Sequence, residues 1–439
     1  TALINPAAGS RNSVGEALTN IIWAPLKDGL KSVSLSANWM WPANNIGENN
    51  RLYTAVKACS DFCIELGINV PTGKDSMSMK QKYKTSEVLS PGTVIISATA
   101  EVSDVSKCVE PFFKKFNSNI YYIDMSSCVL NLGGSALMQS NNKIGNKSND
   151  ILNAKYFKKV FNVIQKLIID EKIYSGHDVS SGGLITTILE MSFVSSGIGL
   201  ELFLNEFDEN DLIKILFAEN HALVIEAEKT IESHFIDNNI KFLNIGKTVN
   251  SNDIKIQKDE KNYTLNIDDY RKKWFDKSLT LDSIQSGSEY AKKRYTNLKS
   301  NQLKFKFPKW FDGLFKKINN NKIKAAILRE KGSNSEREMA YAMYVSGFDV
   351  IDVHMTDLMS GREDLSDIKF LVAVGGFSNS DVLGSAKGWA GTFLYNEKAK
   401  KSLKNFYSKK NNLSLGVCNG CQLFMELGLI TVDSKGKTF

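Results

Sequence analysis

The stretch LSLGVCNGCQ, Leu413 to Gln422, decides how the C-terminal part of the chain is read. An apolar run enters Gly416-Val-Cys418-Asn-Gly420, and a helical pattern follows from about Gln422. This is the cysteine form of the strand–elbow–helix turn. Glycines on both sides of Cys418 let the backbone turn without a Cβ clash. The sulfur is then expected above a sheet at a helix N-terminus, where free N–H groups and the helix dipole favour the nucleophilic thiolate. The alternative is a buried cysteine at a strand end. An oxyanion on a substrate would need backbone donors. Gly375 and Gly376, at the end of a strand over 371–374, and the Asn419 N–H are the candidates. Cys421, one turn further on, is read as packing. A thiolate also needs a base, ordinarily histidine. The four histidines are His177, His221, His234 and His354. Only His354 falls in the same unit, after an earlier strand.

Working outward from the elbow, strands are expected at 325–328, 348–353 and 370–374, with helices at 335–345 and 397–406. Strands alternating with helices indicate a parallel, doubly wound sheet over 323–439. Ligands of such sheets bind beyond the carboxyl ends of the strands. Towards the N-terminus, a short helical segment at 15–20, a strand or irregular turn-rich segment at 33–39 and a helix at 52–66 precede a polar loop over 72–80. A buried strand at 92–100 then completes an α+β unit of about residues 1–110. A second α+β unit over 111–250 is expected to hold strands at 119–124 and 223–227. Its helices fall at 150–170 and 184–195, with a polar turn over 176–183. A Lys/Asn-rich connector spans 251–322, with helical potential over 284–298.

The 439 residues allow about two to four domains, and 42% hydrophobic with 23% charged residues is ordinary globular composition. No run approaches the roughly 18 apolar residues of a membrane helix, and no charged start with an apolar core marks a signal peptide. The net charge of +7 is concentrated between Ser251 and Lys322, which carries 17 Lys/Arg against 9 Asp/Glu. A solvated connector accounts for that excess better than a nucleic-acid or membrane partner does. Six cysteines in so long a chain form no disulfide framework and point to the cytoplasm. Cys59 and Cys63 share a helical face and are read as core. Cys418 and Cys421 lack a second ligand pair, so zinc is not expected. The chain begins at Thr1 rather than Met and stops soon after a fresh unit begins, so a fragment is expected.

Oxygen chemistry gathers at two other places. Glu16 and Asn20, four apart on a helix, share one face and offer hard ligands suited to Mg2+, although a solvated helix face is the more common explanation of such a pair. In His177-Asp-Val-Ser-Ser-Gly-Gly-Leu184, Asp178 would complete such a site. Ser180 and the Gly182 and Gly183 amides could hold phosphate at a helix start. A capped helix with left-handed glycines explains the same residues equally well. Gly73-Lys74-Asp75-Ser76 offers a cation and a hydroxyl for an anionic substrate, or simply a turn.

Ten segments then occur in order: Gly15–Asn20, Ser36–Met40, Gly73–Met79, His177–Ser180, Gly182–Leu184, Ala326–Glu330, Asp352–Met355, Val374–Ser378, Asp381–Gly384 and Gly416–Gln422. With them the chain closely resembles the large single-chain phosphoribosylformylglycinamidine synthases over almost its whole length. The resemblance implies an α/β and α+β multidomain fold. An aminoimidazole ribonucleotide synthase-like half would be followed by a truncated, flavodoxin-like class I glutamine amidotransferase domain. It implies an ATP- and glutamine-dependent ligase of purine biosynthesis, with formylglycinamide ribonucleotide and glutamine as substrates. Ammonia would pass between domains of the parent chain. By motif, Cys418 is the glutaminase nucleophile, Glu16, Asn20 and Asp178 are Mg2+ ligands, and Ser180 is a nucleotide contact at one of two pseudo-symmetric sites. The family's Tyr-Gly is Asn379-Ser380 here, its second Asp after the His-Asp motif is Ser181, and a Gly in Phe-x-Glu-x-x-Gly is Ala222. The amidotransferase His-Pro-Glu belongs downstream of Cys418, so the segment alone is expected to be inactive. Another ATP-using relative of that synthase, or a non-catalytic remnant, is the competing reading.

Overall fold

The computed structural model describes residues 1–194, 197–297, 306–311, 323–384 and 386–430. The chain divides into two compact units, Thr1–Asn301 and Gln302–Phe439.

The first unit opens with the helix Pro6–Ile21, nine residues earlier than the motif at 15–20 indicates. Pro6 suits the first turn because its missing N–H needs no partner there, and the Asn5 side chain caps Ala8 N–H at 3.1 Å. Val14 and Leu18 bury the inner face of this helix. A three-stranded sheet stands beside it. Ser34–Met40 is central, parallel to Asn69–Ser76 and antiparallel to Thr93–Thr99.

Two expectations change here. The polar loop over 72–80 is, up to Ser76, part of a strand. Its residues from Asn69 to Asp75 are exposed, so no apolar alternation announced it. Gly73 is required by register: a Cβ there would lie 2.1 Å from the Ala37 carbonyl oxygen. The 92–100 segment is a strand, but not a buried one. Val94 is 9% exposed and Ile95 50%, because only one face meets the core.

A seven-stranded sheet follows. Its order is Lys261–Asn266, Asp253–Lys258, Ile198–Phe203, Leu243–Asn250, Asn119–Asp124, Ala222–Ala227 and Ile173–Val179. The strands Asn119–Asp124 and Ala222–Ala227 are buried on both faces. In Asn119–Asp124, Tyr121 and Ile123 join a core with Phe157, Phe161 and Ile164 of the helix Ala154–Ile169. Ile120 and Tyr122 join a second core with Leu184, Ile188 and Met191 of the helix Gly183–Val194. That two-sided burial makes the strand read as continuously apolar. The boundary expected at 250 falls inside this sheet. Asp253–Lys258 pairs with Ile198–Phe203, and Lys261–Asn266 pairs with Asp253–Lys258. The basic segment therefore begins as two strands and continues as helices Ile267–Ser286 and Ser288–Thr296. Residues 298–305 and 312–322 of the expected connector lie outside the described residues, as do Ser195 and Leu298 at the ends of expected helices.

The second unit is a four-stranded, all-parallel sheet in the order Phe348–His354, Ile323–Arg329, Phe370–Ala373, Leu413–Gly416. In chain order this is 2-1-3-4, the flavodoxin-like arrangement. Helices cover both faces: Glu336–Val345 contributes Met343 to one core, and Glu397–Tyr407 contributes Leu403 and Phe406 to the other. Strand and helix positions agree with the alternation in the sequence to within about two residues.

Candidate functional sites

At the carboxyl end of the fourth parallel strand, Cys418 is the N-cap of the helix Asn419–Glu426. Its side chain is exposed and its backbone sits at φ 52°, ψ −112°, a region that non-glycine residues rarely adopt. The flanking glycines serve close approach. A Cβ on Gly416 would lie 2.7 Å from Cys421 Cα, and one on Gly420 would lie 2.0 Å from the Ala373 carbonyl oxygen. The sharp dihedrals fall on the cysteine itself.

Gly375 packs directly on Cys418, so closely that a Cβ there would lie 3.2 Å from Cys418 Cβ and 3.8 Å from Sγ. Gly375–Gly376 pairs antiparallel with Ser333–Asn334, and Gly376 has φ 91°. Asn419 is 2% exposed. Its Oδ1 accepts the Ser378 hydroxyl at 2.6 Å, and its Nδ2 donates to Gln422 Oε1 at 3.0 Å. This buried bridge ties the turn after Gly376 to the helix start. The structure therefore brings Cys418, Gly375, Gly376 and Asn419 together. Asn379 and Ser380, where the resembling family has Tyr-Gly, both lie at positive φ.

His354 ends the first strand of the sheet order, three strand positions from Cys418, or about 14 Å at ~4.8 Å per strand. Its Nδ1 pairs with the Thr356 hydroxyl at 2.9 Å and caps the helix Met355–Ser360. Among the described residues of this unit, no histidine stands beside the thiol.

In the first unit a cavity of about 1010 Å3 has Glu16, Asn20 and Ser180 in its wall. The i, i+4 spacing does what the sequence indicates. Asn20 Nδ2 donates to the Glu16 carbonyl at 2.8 Å and lies 3.4 Å from Glu16 Oε1. Ser180 Oγ donates to Glu16 Oε1 at 2.6 Å, a contact across 164 residues. His221 closes this side: its Nε2 lies 2.9 Å from the Asn12 carbonyl and 4.0 Å from Glu16 Oε2. Burial holds the His221 pKa below the ordinary value, against the pull of Glu16.

Asp178 stands differently. It ends the strand Ile173–Val179, is 6% exposed and does not line the cavity. The Thr19 hydroxyl lies 3.5 Å from its Oδ2 and 3.2 Å from the Glu16 carbonyl. His177 Nδ1 is 3.4 Å from its Oδ1, with Nε2 3.7 Å from Glu190. Burial opposes charge on His177, but Asp178 and Glu190 prevail and its pKa is raised. Glu16 and Asn20 thus face the cavity with oxygens that suit a hard cation, whereas Asp178 lies behind Thr19. Among the described residues, no group of three His, Cys, Asp or Glu side chains is arranged to hold a metal.

The Gly182 and Gly183 amides expected to hold phosphate have partners within the protein. Gly182 N–H donates to Glu219 Oε1 at 2.8 Å, and that oxygen also accepts Ala136 N–H at 2.8 Å. Gly183 N–H donates to the Ser180 carbonyl at 3.0 Å. Both glycines have positive φ, so the left-handed turn is the geometry present. A carboxylate of the protein already occupies the amide that a phosphate would need. Glu219 was missed as a site residue, although Phe217-Ala-Glu219 lies in the motif noted for Ala222. Lys74, Asp75 and Ser76 are also not brought to the cavity. They lie on the exposed edge strand, with Lys74 Nζ 2.8 Å from Ser76 Oγ.

Comparison with known proteins fits this division. Residues 1–101 match the FGAR-AT PurM_N-like domain, residues 120–259 the C-terminal domain of AIR synthase related proteins, and residues 322–438 the CobB/CobQ-like glutamine amidotransferase domain. A probable phosphoribosylformylglycinamidine synthase, chloroplastic/mitochondrial, of Arabidopsis thaliana is 36% identical, over 99% of this chain and 31% of that protein. The phosphoribosylformylglycinamidine synthase of Dictyostelium discoideum is 37% identical, over 95% of this chain and 34% of its own length. The probable enzyme of Caenorhabditis elegans is 38% identical, over 99% and 35%. The chain thus spans about a third of the length of the curated relatives it matches. Among solved structures, T. maritima PurL complexed with FGAR has a TM-score of 0.48 at 10% identity, covering 60% of this chain and 43% of that chain. Over nearly all of its residues, the chain is homologous to about a third of the length of these phosphoribosylformylglycinamidine synthases, and it joins two α+β segments matching FGAR-AT PurM_N-like and AIR synthase related domains to a segment matching the CobB/CobQ-like glutamine amidotransferase domain.

Proposed function

We propose that the chain is a working part of an ATP- and glutamine-dependent formylglycinamide ribonucleotide amidotransferase. The exposed Cys418 at a strained strand-to-helix elbow is the observation that carries this reading. Its thiolate attacks the side-chain amide carbon of glutamine. The oxyanion is met by backbone donors of the Gly375–Gly376 turn and Asn419. Collapse gives a glutamyl thioester and ammonia, and water then releases glutamate. In the parent enzyme, the ammonia passes to the synthetase part. There ATP phosphorylates the formyl amide oxygen of formylglycinamide ribonucleotide, and ammonia displaces phosphate to form the amidine. The Glu16 cavity holds nucleotide in this reading, with Ser180 positioning Glu16. A Mg2+ held by Glu16 and Asn20, with Asp178 behind Thr19, would neutralise phosphate charge. Six free cysteines suit a reducing compartment such as the cytoplasm.

Labelling tests the nucleophile. A diazoketone analogue of glutamine should modify Cys418 much faster than Cys108, which is also exposed, and glutamine should protect it. Equal labelling without protection rejects the assignment. Because no base stands beside Cys418, the segment should acylate without sustained turnover. Steady glutamine hydrolysis that is lost in Cys418→Ala would overturn that part. For the nucleotide site, Glu16→Ala/Asp178→Ala should weaken Mg2+-dependent ATP binding about tenfold or more by calorimetry. Unchanged affinity counts against it.

A further inference from the structure

We propose that a second cavity in the first unit binds a small organic cation with a planar body. This cavity encloses about 510 Å3 and shares no wall residue with the Glu16 cavity. That volume is in the range of small-molecule sites, ~300–1,000 Å3. It lies at the end of the strand Asn119–Asp124, between loops at 127–130, 206–209 and 239–243.

Three observations define its ligand. First, the floor is aromatic: the Tyr122 and Phe207 rings pack with centroids 5.0 Å apart. A flat body fits such a surface, and a cation on it gains from the ring faces. Second, Tyr122 is 6% exposed and lines the cavity, yet its hydroxyl has no hydrogen-bond partner among the described residues. The hydroxyl meets the cavity rather than a protein partner, so a ligand donor can take the place of water there. Third, the charge is one-sided. Asp124, Glu206, Asp208 and Glu209 line the cavity against the single cation Lys241. Lys241 is held by Asp208 at 2.7 Å, and Glu209 by Lys214 at 3.0 Å. Asp124 is hydrogen-bonded by neutral donors, the Ser126 N–H at 2.9 Å and hydroxyl at 2.6 Å on Oδ1 and the Ser127 N–H; burial raises its pKa, a penalty that a bound cation would offset. An ammonium or amidinium would bring its charge to Asp124, an N–H to the Tyr122 oxygen, and its body onto the ring pair.

Benzamidine tests this in the 439-residue chain, with benzoate as the same-sized anion. Ligand-observed NMR should show saturable benzamidine binding at about 1 mM or below, and none for benzoate. Cys128 lines the same cavity. Benzamidine should therefore slow its alkylation by N-ethylmaleimide about threefold or more, and leave exposed Cys108 unchanged. Asp124→Asn should weaken binding about tenfold. Tyr122→Phe keeps the ring and should weaken binding about threefold, which preserves the test if Asp124→Asn fails to fold. Equal binding of benzoate, no benzamidine binding, unprotected Cys128, or unchanged affinity in a folded variant overturns the proposal.

Discussion

Cys418 holds a backbone conformation that glycine would adopt at lower cost. Its φ of 52° with ψ −112° is the kind of strain stored at reactive positions, of order 1–3 kcal/mol. Glycine would remove that strain but would lose about 0.5–1 kcal/mol to unfolded-chain entropy. Cys418→Gly should therefore stabilise the second unit by about 1 kcal/mol relative to Cys418→Ala, as read from urea unfolding by circular dichroism. An alanine variant as stable as the glycine variant would show that the strain is absent. At this scale the sequence was informative. Gly416-x-Cys418-x-Gly420 announced the elbow, because steric demands between near neighbours are written in adjacent residue types. What it did not announce was the division of labour, with the glycines supplying clearance from Cys421 and Ala373 while the cysteine carries the positive φ.

Among the elements, the strand Ala222–Ala227 shows how a buried polar group fixes an assembly. Glu226 is fully buried and accepts four hydrogen bonds. Two come from the Lys114 and Lys115 N–H groups at 2.9 Å, and two from the Ser118 and Ser175 hydroxyls at 2.6 and 2.7 Å. The carboxylate thereby ties the segment before Asn119 to the edge strand Ile173–Val179. Glu226→Gln would point an NH2 group at donors. It should cost about 3 kcal/mol, measured as a lower urea midpoint with unchanged slope. A loss under about 0.5 kcal/mol would mean that the network relaxes freely. Element recognition followed packing. Parallel strands covered on both sides are legible, whereas residues 72–76 of the strand Asn69–Ser76 read as a loop because they are polar. Its pairing with Ser34–Met40 is a long-range fact, fixed by register rather than by pattern.

On the scale of the whole molecule, the two units have separate cores. Calorimetry should resolve two transitions, with Glu226→Gln moving one and Cys418→Gly the other. A single transition shifted by both variants would refute independent cores. The basic segment, first read as one connector, contributes two strands to the seven-stranded sheet before it becomes helical. Within 253–296 its basic residues lie mostly on exposed positions of these strands and helices, which composition alone could not distinguish from a linker. Sequence by itself determined the parallel sheet, the cysteine elbow, the Glu16–Asn20 face and the ordered motifs, because periodicity and short spacings are local properties of the chain. Only the tertiary structure decided that Glu219 fills the Gly182 amide, that Ser180 reaches Glu16, that Asp178 is set behind Thr19, and that Asp124 lines a second cavity with Glu206, Asp208 and Glu209. A polar atom's partner is chosen by what folding brings to it, and nearly all of these partners lie tens of residues or more away along the chain.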